Sequence, residues 1–257
     1  MISKQQIKFI HSLRMKKHRD ENSLFVGEGP KVVCELLRRF QCTYLAATPS
    51  WLQRNKASVP AGTRLDIVTA EELIKASLLD TPQQVLGIFR KRQATLPSAE
   101  ALQSELCLML DTIQDPGNLG TILRLAQWYG INHIICSPDT ADIYSPKTVQ
   151  ATMGALGKTN VAYTQLPQYL NGLPAATPIY GTFLDSNDIY DAPLQSHGII
   201  VMGNEGNGIS PQVAQHIRHR LHIPPYPPGP PAIESLNVGV ATAIVCAEFR
   251  RRQMHPD

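Results

Sequence analysis

The sequence predicts an α/β protein built from two successive domains. Three observations lead there. Short apolar runs alternate with amphipathic, helix-period segments along the chain. A polar, proline-containing stretch, Lys91 to Glu100, breaks that alternation. The first run after it, Leu106–Leu110, is apolar throughout, as suits a parallel strand buried on both faces. A length of 257 residues accommodates two domains, and 43% hydrophobic with 18% charged residues argues against disorder.

Ile2 to Arg14 reads as a basic amphipathic helix, because Ile7, Ile10 and Leu13 recur at helical spacing. Lys16 to Asn22 is expected to be a polar connector. Strands are expected at Phe25–Val26, Tyr44–Ala47, Ile67–Val68 and Val85–Phe89. Helices should run from Gly29-Pro30 to Leu37 and from Ala70 to Leu79. The expected division is a small α/β domain over 1–92, a linker over 93–104 and a second α/β domain over 105–257. In the second domain, strands are expected at Leu106–Leu110, Ile131–Cys136, Val161–Tyr163, Ile179–Thr182, Ile199–Met202 and Arg220–Ile223. A long helix from about Leu236 to Arg252 closes the chain.

No apolar run approaches the roughly 20 residues that span a bilayer, and Met1 to His18 lacks a secretory h-region. A cytoplasmic protein without membrane contact is the expectation. The five cysteines are scattered, with no C-x-x-C pair, and read as buried small hydrophobes rather than metal ligands. His216 and His219, three apart, read as one polar helical face and not as a metal site. The net charge of +3 conceals an asymmetry: residues 1–40 carry nine Lys/Arg against four acids, leaving the remainder acidic. Lys8, Arg14, Lys16, Lys17 and Arg19 are the candidate contacts to a polyanion. A solvated helix face accounts for the same charges.

Three segments follow predicted strands of the second domain, where open α/β sheets bind ligands. The first, Leu110 to Arg124, contains Asp115-Pro116-Gly117-Asn118-Leu119-Gly120. A helix starting near Asn118 would offer free N–H groups to an anion, with Arg124 about one turn further on; a turn, a cap and a surface arginine is the structural alternative. The second, Met202-Gly203-Asn204-Glu205-Gly206-Asn207-Gly208, has glycines that would let a ligand approach backbone closely. Its order is not the dinucleotide fingerprint, and a structural glycine turn fits it too. In the third, the prolines Pro224 to Pro231 lead to a helix capped by Glu234 or Ser235, with Asn237 inside the first turn. A rigid linker with an ordinary cap is the alternative. Gly154 to Thr159 is not a phosphate loop, because Thr152 stands where the Walker spacing needs glycine.

Taken in this order, the three segments resemble the three motifs of the SpoU (TrmH-type) branch of the SPOUT methyltransferases, over roughly Leu106 to Arg252. The first domain resembles the small L30e-like substrate-binding domain of ribosomal-RNA members. The resemblance implies a parallel sheet with a deep trefoil knot, a homodimer paired through the C-terminal domain, and ribose 2′-O-methylation of RNA with S-adenosylmethionine. Ribosomal RNA is the first expectation; transfer RNA, or a catalytically silent RNA-binding relative, is the alternative. Carried over by position, Met202, Gly203, Asn204, Ile223 and Leu236 contact the cofactor. Arg124 activates the hydroxyl, Asn118 and Glu205 orient Arg124, and Asn237 and Ser235 fix the third loop. The loop from Pro225 to Pro231 is longer than is usual in the family. No metal is implied.

Overall fold

The apolar runs assemble into two separate sheets in the computed structural model, which describes residues 1–227 and 235–254. They belong to two compact units. One comprises Met1–Gln93 with Asp142–Lys158, and the other Ala94–Ala141 with Thr159–Asp257. The segment Asp142–Lys158 therefore groups with the N-terminal unit, which a division read along the chain at residue 105 does not contain.

The first unit runs α1 (Lys4–Ser12), α2 (Lys16–Asn22), β1 (Leu24–Glu28), α3 (Pro30–Leu37), β2 (Cys42–Ala47), α4 (Pro49–Asn55), β3 (Arg64–Ile67), α5 (Ala70–Ala76) and β4 (Val85–Arg90). Its sheet order is β1-β4-β2-β3, with only the β2–β3 pair parallel. Ser3 caps α1 by accepting from the Gln6 N–H at 3.1 Å. The apolar stripe of that helix places Ile10, with Leu13 just after it, in a core with Val26, Tyr44 and Leu86. The phenyl ring of Phe25 packs 4.8 Å from the ring of Tyr144, just ahead of a further helix, α7 (Pro146–Ala151), in the second segment of the unit. Helix α4 escaped the sequence reading although it carries a start signal, Thr48 as cap with Pro49 after it.

Lys16–Asn22 is a helix and not the expected connector. Its i,i+4 pairs, Lys16–Asp20 at 2.7 Å and Lys17–Glu21 at 3.9 Å, contribute about 0.3–0.5 kcal/mol each. The stronger anchor is Arg19, which is only 3% exposed. It donates to the carbonyls of Leu13 (2.9 Å) and Arg14 (2.6 Å) and forms an ion pair with Asp142 at 2.7 Å. The expectation of Arg19 as an RNA contact is corrected accordingly: the guanidinium is buried, with four of its five N–H donors engaged inside the unit. Glu28 is buried as well and accepts from the Ser77 hydroxyl and the Leu78 N–H. Burial pushes its carboxyl above the usual range, against the pull of those two donors and of Arg14.

The second unit runs β5 (Leu106–Leu110), α6 (Pro116–Trp128), β6 (His133–Cys136), β7 (Asn160–Tyr163), α8 (Leu166–Asn171), β8 (Ile179–Asp188), β9 (Gly198–Met202), α9 (Pro211–Ala214), β10 (His219–His222) and α10 (Val238–Met254). All pairs in the sheet are parallel, in the order β10-β8-β9-β5-β6-β7. Direction reverses beside β5: the chain moves outward through β6 and β7, then places β9, β8 and β10 on the other side. Strand β8 is longer than expected. It pairs with β10 at Tyr180–Gly181 and again at Asn187–Asp188, so Thr182–Ser186 stand out of the ladder. His216 and His219 share no helix; His216 lies in a turn, and His219 in β10 stacks on Tyr180 with centroids 4.8 Å apart.

All five cysteines are free thiols, and only Cys34 is less than buried. Burial pushes the thiols of Cys42 and Cys246 up to about 12, which makes them inert. Among the described residues no group of His, Cys, Asp and Glu is placed to hold a metal, and no helix is long and apolar enough to cross a membrane. The expected knot involves the loop after β10, of which residues 228–234, Glu234 included, lie outside the described residues.

Candidate active site

The parallel order sends the C-terminal ends of β5, β9, β8 and β10 to one edge of the sheet, side by side. All three sequence segments start there. After β5, Asp115 caps α6: its Oδ1 accepts from the Asn118 N–H at 2.7 Å, and its carbonyl accepts from Leu119. Pro116 has no N–H to offer. Of the N–H groups that the sequence offers to an anion at this helix start, the Asp115 carboxylate takes that of Asn118.

After β9, Asn204 and Gly208 close a small loop through two backbone bonds, of 3.0 and 2.8 Å. Both ends of the Asn204 side chain are engaged in holding that loop. Its Oδ1 accepts from Gly206 and Asn207, and its Nδ2 donates to the Thr112 carbonyl at 2.9 Å. Asp111, buried at the end of β5, accepts from the Ser210 N–H at 2.8 Å and holds the other side of the loop. Gly203 is a glycine for this reason. A Cβ there would lie 2.3–2.5 Å from the backbone of Gly208 and Ile209, so the close approach expected of a ligand is made by the loop itself. Gly208 takes φ +68, a left-handed conformation that favours glycine.

In the third segment, Asn237 is itself the cap of α10. Its Oδ1 accepts from the N–H groups of Gly239 (2.9 Å) and Val240 (3.3 Å). This corrects both the expected cap and the placing of Asn237 inside the first turn: an asparagine with non-helical backbone in this position satisfies two orphan donors. Its Nδ2 donates to Asn118 Oδ1 at 2.9 Å, and Asn118 Nδ2 donates to Glu205 Oε1. The Ser235 hydroxyl donates to the Glu205 carbonyl at 3.4 Å. A chain of hydrogen bonds thus links all three segments.

Beside this chain lies a cleft of about 700 Å³. Met202, Gly203, Asn204, Ile223 and Leu236 all line it, as do Glu205 and Ser235. Among the described residues, the backbone N–H and C=O groups of Gly203, Ile223 and Leu236 have no hydrogen-bond partner. Three sets of them, beside the apolar side chains of Met202, Ile223 and Leu236, fit a ligand with a planar heterocycle and a polar rim.

Arg124 is exposed on α6 and does not line the cleft. It follows Asn118 by six residues, which places it about 9 Å along the helix and about 120° round it. Among the described residues it makes no hydrogen bond or ion pair. The expectation that Asn118 and Glu205 orient it is not met within the chain, because those two bind each other. Lys8, Arg14, Lys16 and Lys17 are exposed, all in the first unit; the last two are engaged by Asp20 and Glu21.

Residues 105–247 match the SpoU rRNA Methylase family, and residues 4–87 match an MRM3-like substrate binding domain. The chain belongs to the SpoU rRNA methylase family. It is 28% identical over 252 residues to the 23S rRNA (guanosine(2553)-2'-O)-methyltransferase RlmP of Bacillus subtilis, covering 96% of each chain. A solved TrmH-family protein from Porphyromonas gingivalis is 40% identical with a TM-score of 0.86, covering 98% of this chain and 99% of the other. The AdoMet-bound rRNA methyltransferase from Sinorhizobium meliloti is 30% identical with a TM-score of 0.84, covering 98% and 96%.

In this SpoU-family chain the cleft has a wall that lies outside the three motifs: Thr182–Asp185 from the excursion of β8, with Arg220 and His222 of β10. Sequence reasoning missed it. The only signal was negative, an expected strand that stopped at Thr182 before the polar run Asp185 to Asp188.

Proposed function

We propose that this chain transfers the methyl group of S-adenosylmethionine to a ribose 2′-hydroxyl of ribosomal RNA, with the N-terminal region 1–92 presenting the RNA. The observation that carries this reading is the convergence of the unpaired backbones of Gly203, Ile223 and Leu236 on one cleft, beside the Asn237–Asn118–Glu205 chain. These backbone groups and the apolar side chains around them would hold the cofactor. When bound, the cofactor supplies a sulfonium-activated methyl group and leaves as the neutral thioether. The attacking hydroxyl would displace that thioether and give up its proton to the adjacent RNA phosphate or to water. The guanidinium of Arg124 offers N–H donors and no acceptor, so it acts as a cation and not as a base. It clamps the RNA phosphate and stabilises the developing alkoxide. Asn118, held at both ends by Asn237 and Glu205, keeps the first and second segments in register for that alignment.

A homodimer through the C-terminal domain completes the proposal. Trp128 on α6 is 84% exposed and Val240 on α10 is 51% exposed; Trp128 lies one turn beyond Arg124, on the same face. A second copy covering this face would give the unpartnered arginine its surroundings. Trp128→Glu should yield monomers by light scattering. The function itself is tested by mapping ribose methylation in ribosomal and transfer RNA from cells with and without this gene. One ribosomal ribose losing its methyl group is the expected result. A transfer-RNA loss would redirect the substrate, and no loss anywhere would favour a silent RNA-binding relative.

A further inference from the structure

The wall formed by β8 and β10 carries charges that the methyl transfer does not use. Arg220 is the last residue of β10 to pair before the register jump, so it stands beside the excursion Thr182–Ser186. Its guanidinium lies over the Phe183 ring, 3.5 Å from the centroid. His222 Nδ1 lies 3.2 Å from the Phe183 carbonyl oxygen and donates to it, because a carbonyl can only accept. The two contacts hold Phe183 and, through the stack, the plane of the guanidinium. The N–H edge of Arg220 stays uncommitted: among the described residues it makes no hydrogen bond or ion pair. Neither does Asp185, which lines the same cleft. Glu205, another carboxylate lining the cleft, already accepts from Asn118.

A free cation and a free anion on one wall, not neutralising each other, match a ligand that brings both charges. Of the parts of S-adenosylmethionine, adenine and the ribose diol are neutral, whereas the α-amino-acid end is a zwitterion. We infer that Phe183, Arg220 and Asp185 form the subsite for that amino-acid end. Arg220 takes the α-carboxylate on its N–H fork, and Asp185 takes the α-ammonium. This rests on the cofactor reading of the cleft and says which way round the cofactor lies: amino acid toward β8 and β10, adenosine toward the backbones of Ile223 and Leu236.

The test is calorimetric titration of the full chain with two stable ligands. S-adenosylhomocysteine carries the zwitterion, and 5′-methylthioadenosine lacks it. Wild type is expected to bind the first at least about tenfold more tightly. Arg220→Gln and Asp185→Asn should each weaken S-adenosylhomocysteine by about tenfold and leave 5′-methylthioadenosine within about twofold. Arg220→Lys, which keeps the charge and loses the fork, should fall between. Thermal unfolding midpoints matching wild type establish that the variants fold; Asp185, exposed and without partners, keeps the test open if an Arg220 variant does not. Equal losses for both ligands would mean that the wall reads the nucleoside and would overturn the subsite, as would no loss for either. A wild-type protein that binds neither ligand overturns the cofactor reading and the subsite with it.

Discussion

Replacing Asn237 separates two jobs that one side chain performs. The orientation of its amide is fixed by the network: Oδ1 must face the N–H groups of Gly239 and Val240, so Nδ2 faces Asn118. Asn118 must then turn its oxygen to Asn237 and its amide nitrogen to Glu205. Asn237→Ala removes both the cap and the link. Loss of the cap costs about 1 kcal/mol of stability. Asn237→Ser keeps an oxygen that can cap α10 but cannot reach Asn118. Its stability should fall by about 1 kcal/mol, the worth of the one hydrogen bond that Asn118 loses, and so by less than that of the alanine variant, which loses the cap as well. With the link stronger in the transition state than in the free enzyme by that amount, its loss lowers kcat/KM about fivefold. If Asn118 and Glu205 drift by about 1 Å, the loss approaches 100-fold. The assay is transfer of labelled methyl groups to RNA, run beside urea unfolding of the same preparations. A serine variant with kcat/KM within twofold of wild type would refute the positioning role. A serine variant as unstable as the alanine one would refute the capping argument.

Arg124→Ala should abolish transfer and leave S-adenosylhomocysteine affinity unchanged, and Arg124→Lys should also be slow, since it lacks the planar fork; near-normal turnover of the lysine enzyme would exclude a bidentate clamp. In salt titrations of RNA binding, Lys8→Ala and Arg14→Ala should each reduce the log–log slope by about 0.7–0.9, whereas Arg19→Met should leave the slope alone. Arg19→Met should instead lower the unfolding free energy by about 3–5 kcal/mol, because it strands the Asp142 carboxylate in a largely buried position. Glu28 gives a pH test. Its folded carboxyl titrates above the ordinary 4.5, so the folded state binds more protons than the unfolded one, and stability falls as pH rises from 4.5 through the raised value. Glu28→Gln should flatten that decline in urea midpoints between pH 4 and 7, and parallel curves would show that Glu28 does not drive it.

The strands of the second unit were legible because burial on both faces leaves an unmistakable apolar run: Leu106–Leu110 is β5 to the residue. Helix α2 was not, since Lys16–Asn22 contains no apolar stripe and is held by a buried arginine reaching Asp142, more than a hundred residues away. The reading of Arg19 failed for the same reason. Charge is visible in a sequence, but the partner that buries it is not. The cofactor candidates Gly203, Ile223 and Leu236 were found through family resemblance, and the cleft unites them. Asn204 belongs to a different class. It lines the same cleft, yet its side chain is spent on the loop. The wall of Thr182–Asp185 was illegible because it arises from a register jump between β8 and β10, a property of pairing that no single segment carries.

The strand order also explains why a site spread over some 130 residues of sequence is compact in space. Had the chain continued outward from β7, the loops after β5 and β9 would lie at opposite sides of the sheet. By reversing beside β5, the chain sets β9 against it in register, Leu110 opposite Met202. Asp111 and Thr112 then sit within one hydrogen bond of Ser210 and Asn204. The glycine loop is thus clamped to the first segment by four groups that have no part in the chemistry. This makes Gly203 indispensable for a reason other than ligand access: with a side chain there, the loop could not close against Gly208 and Ile209, and Glu205 would lose its place at the end of the Asn118 link. The position of Asn237 is fixed from two sides, by the start of α10 and by Asn118.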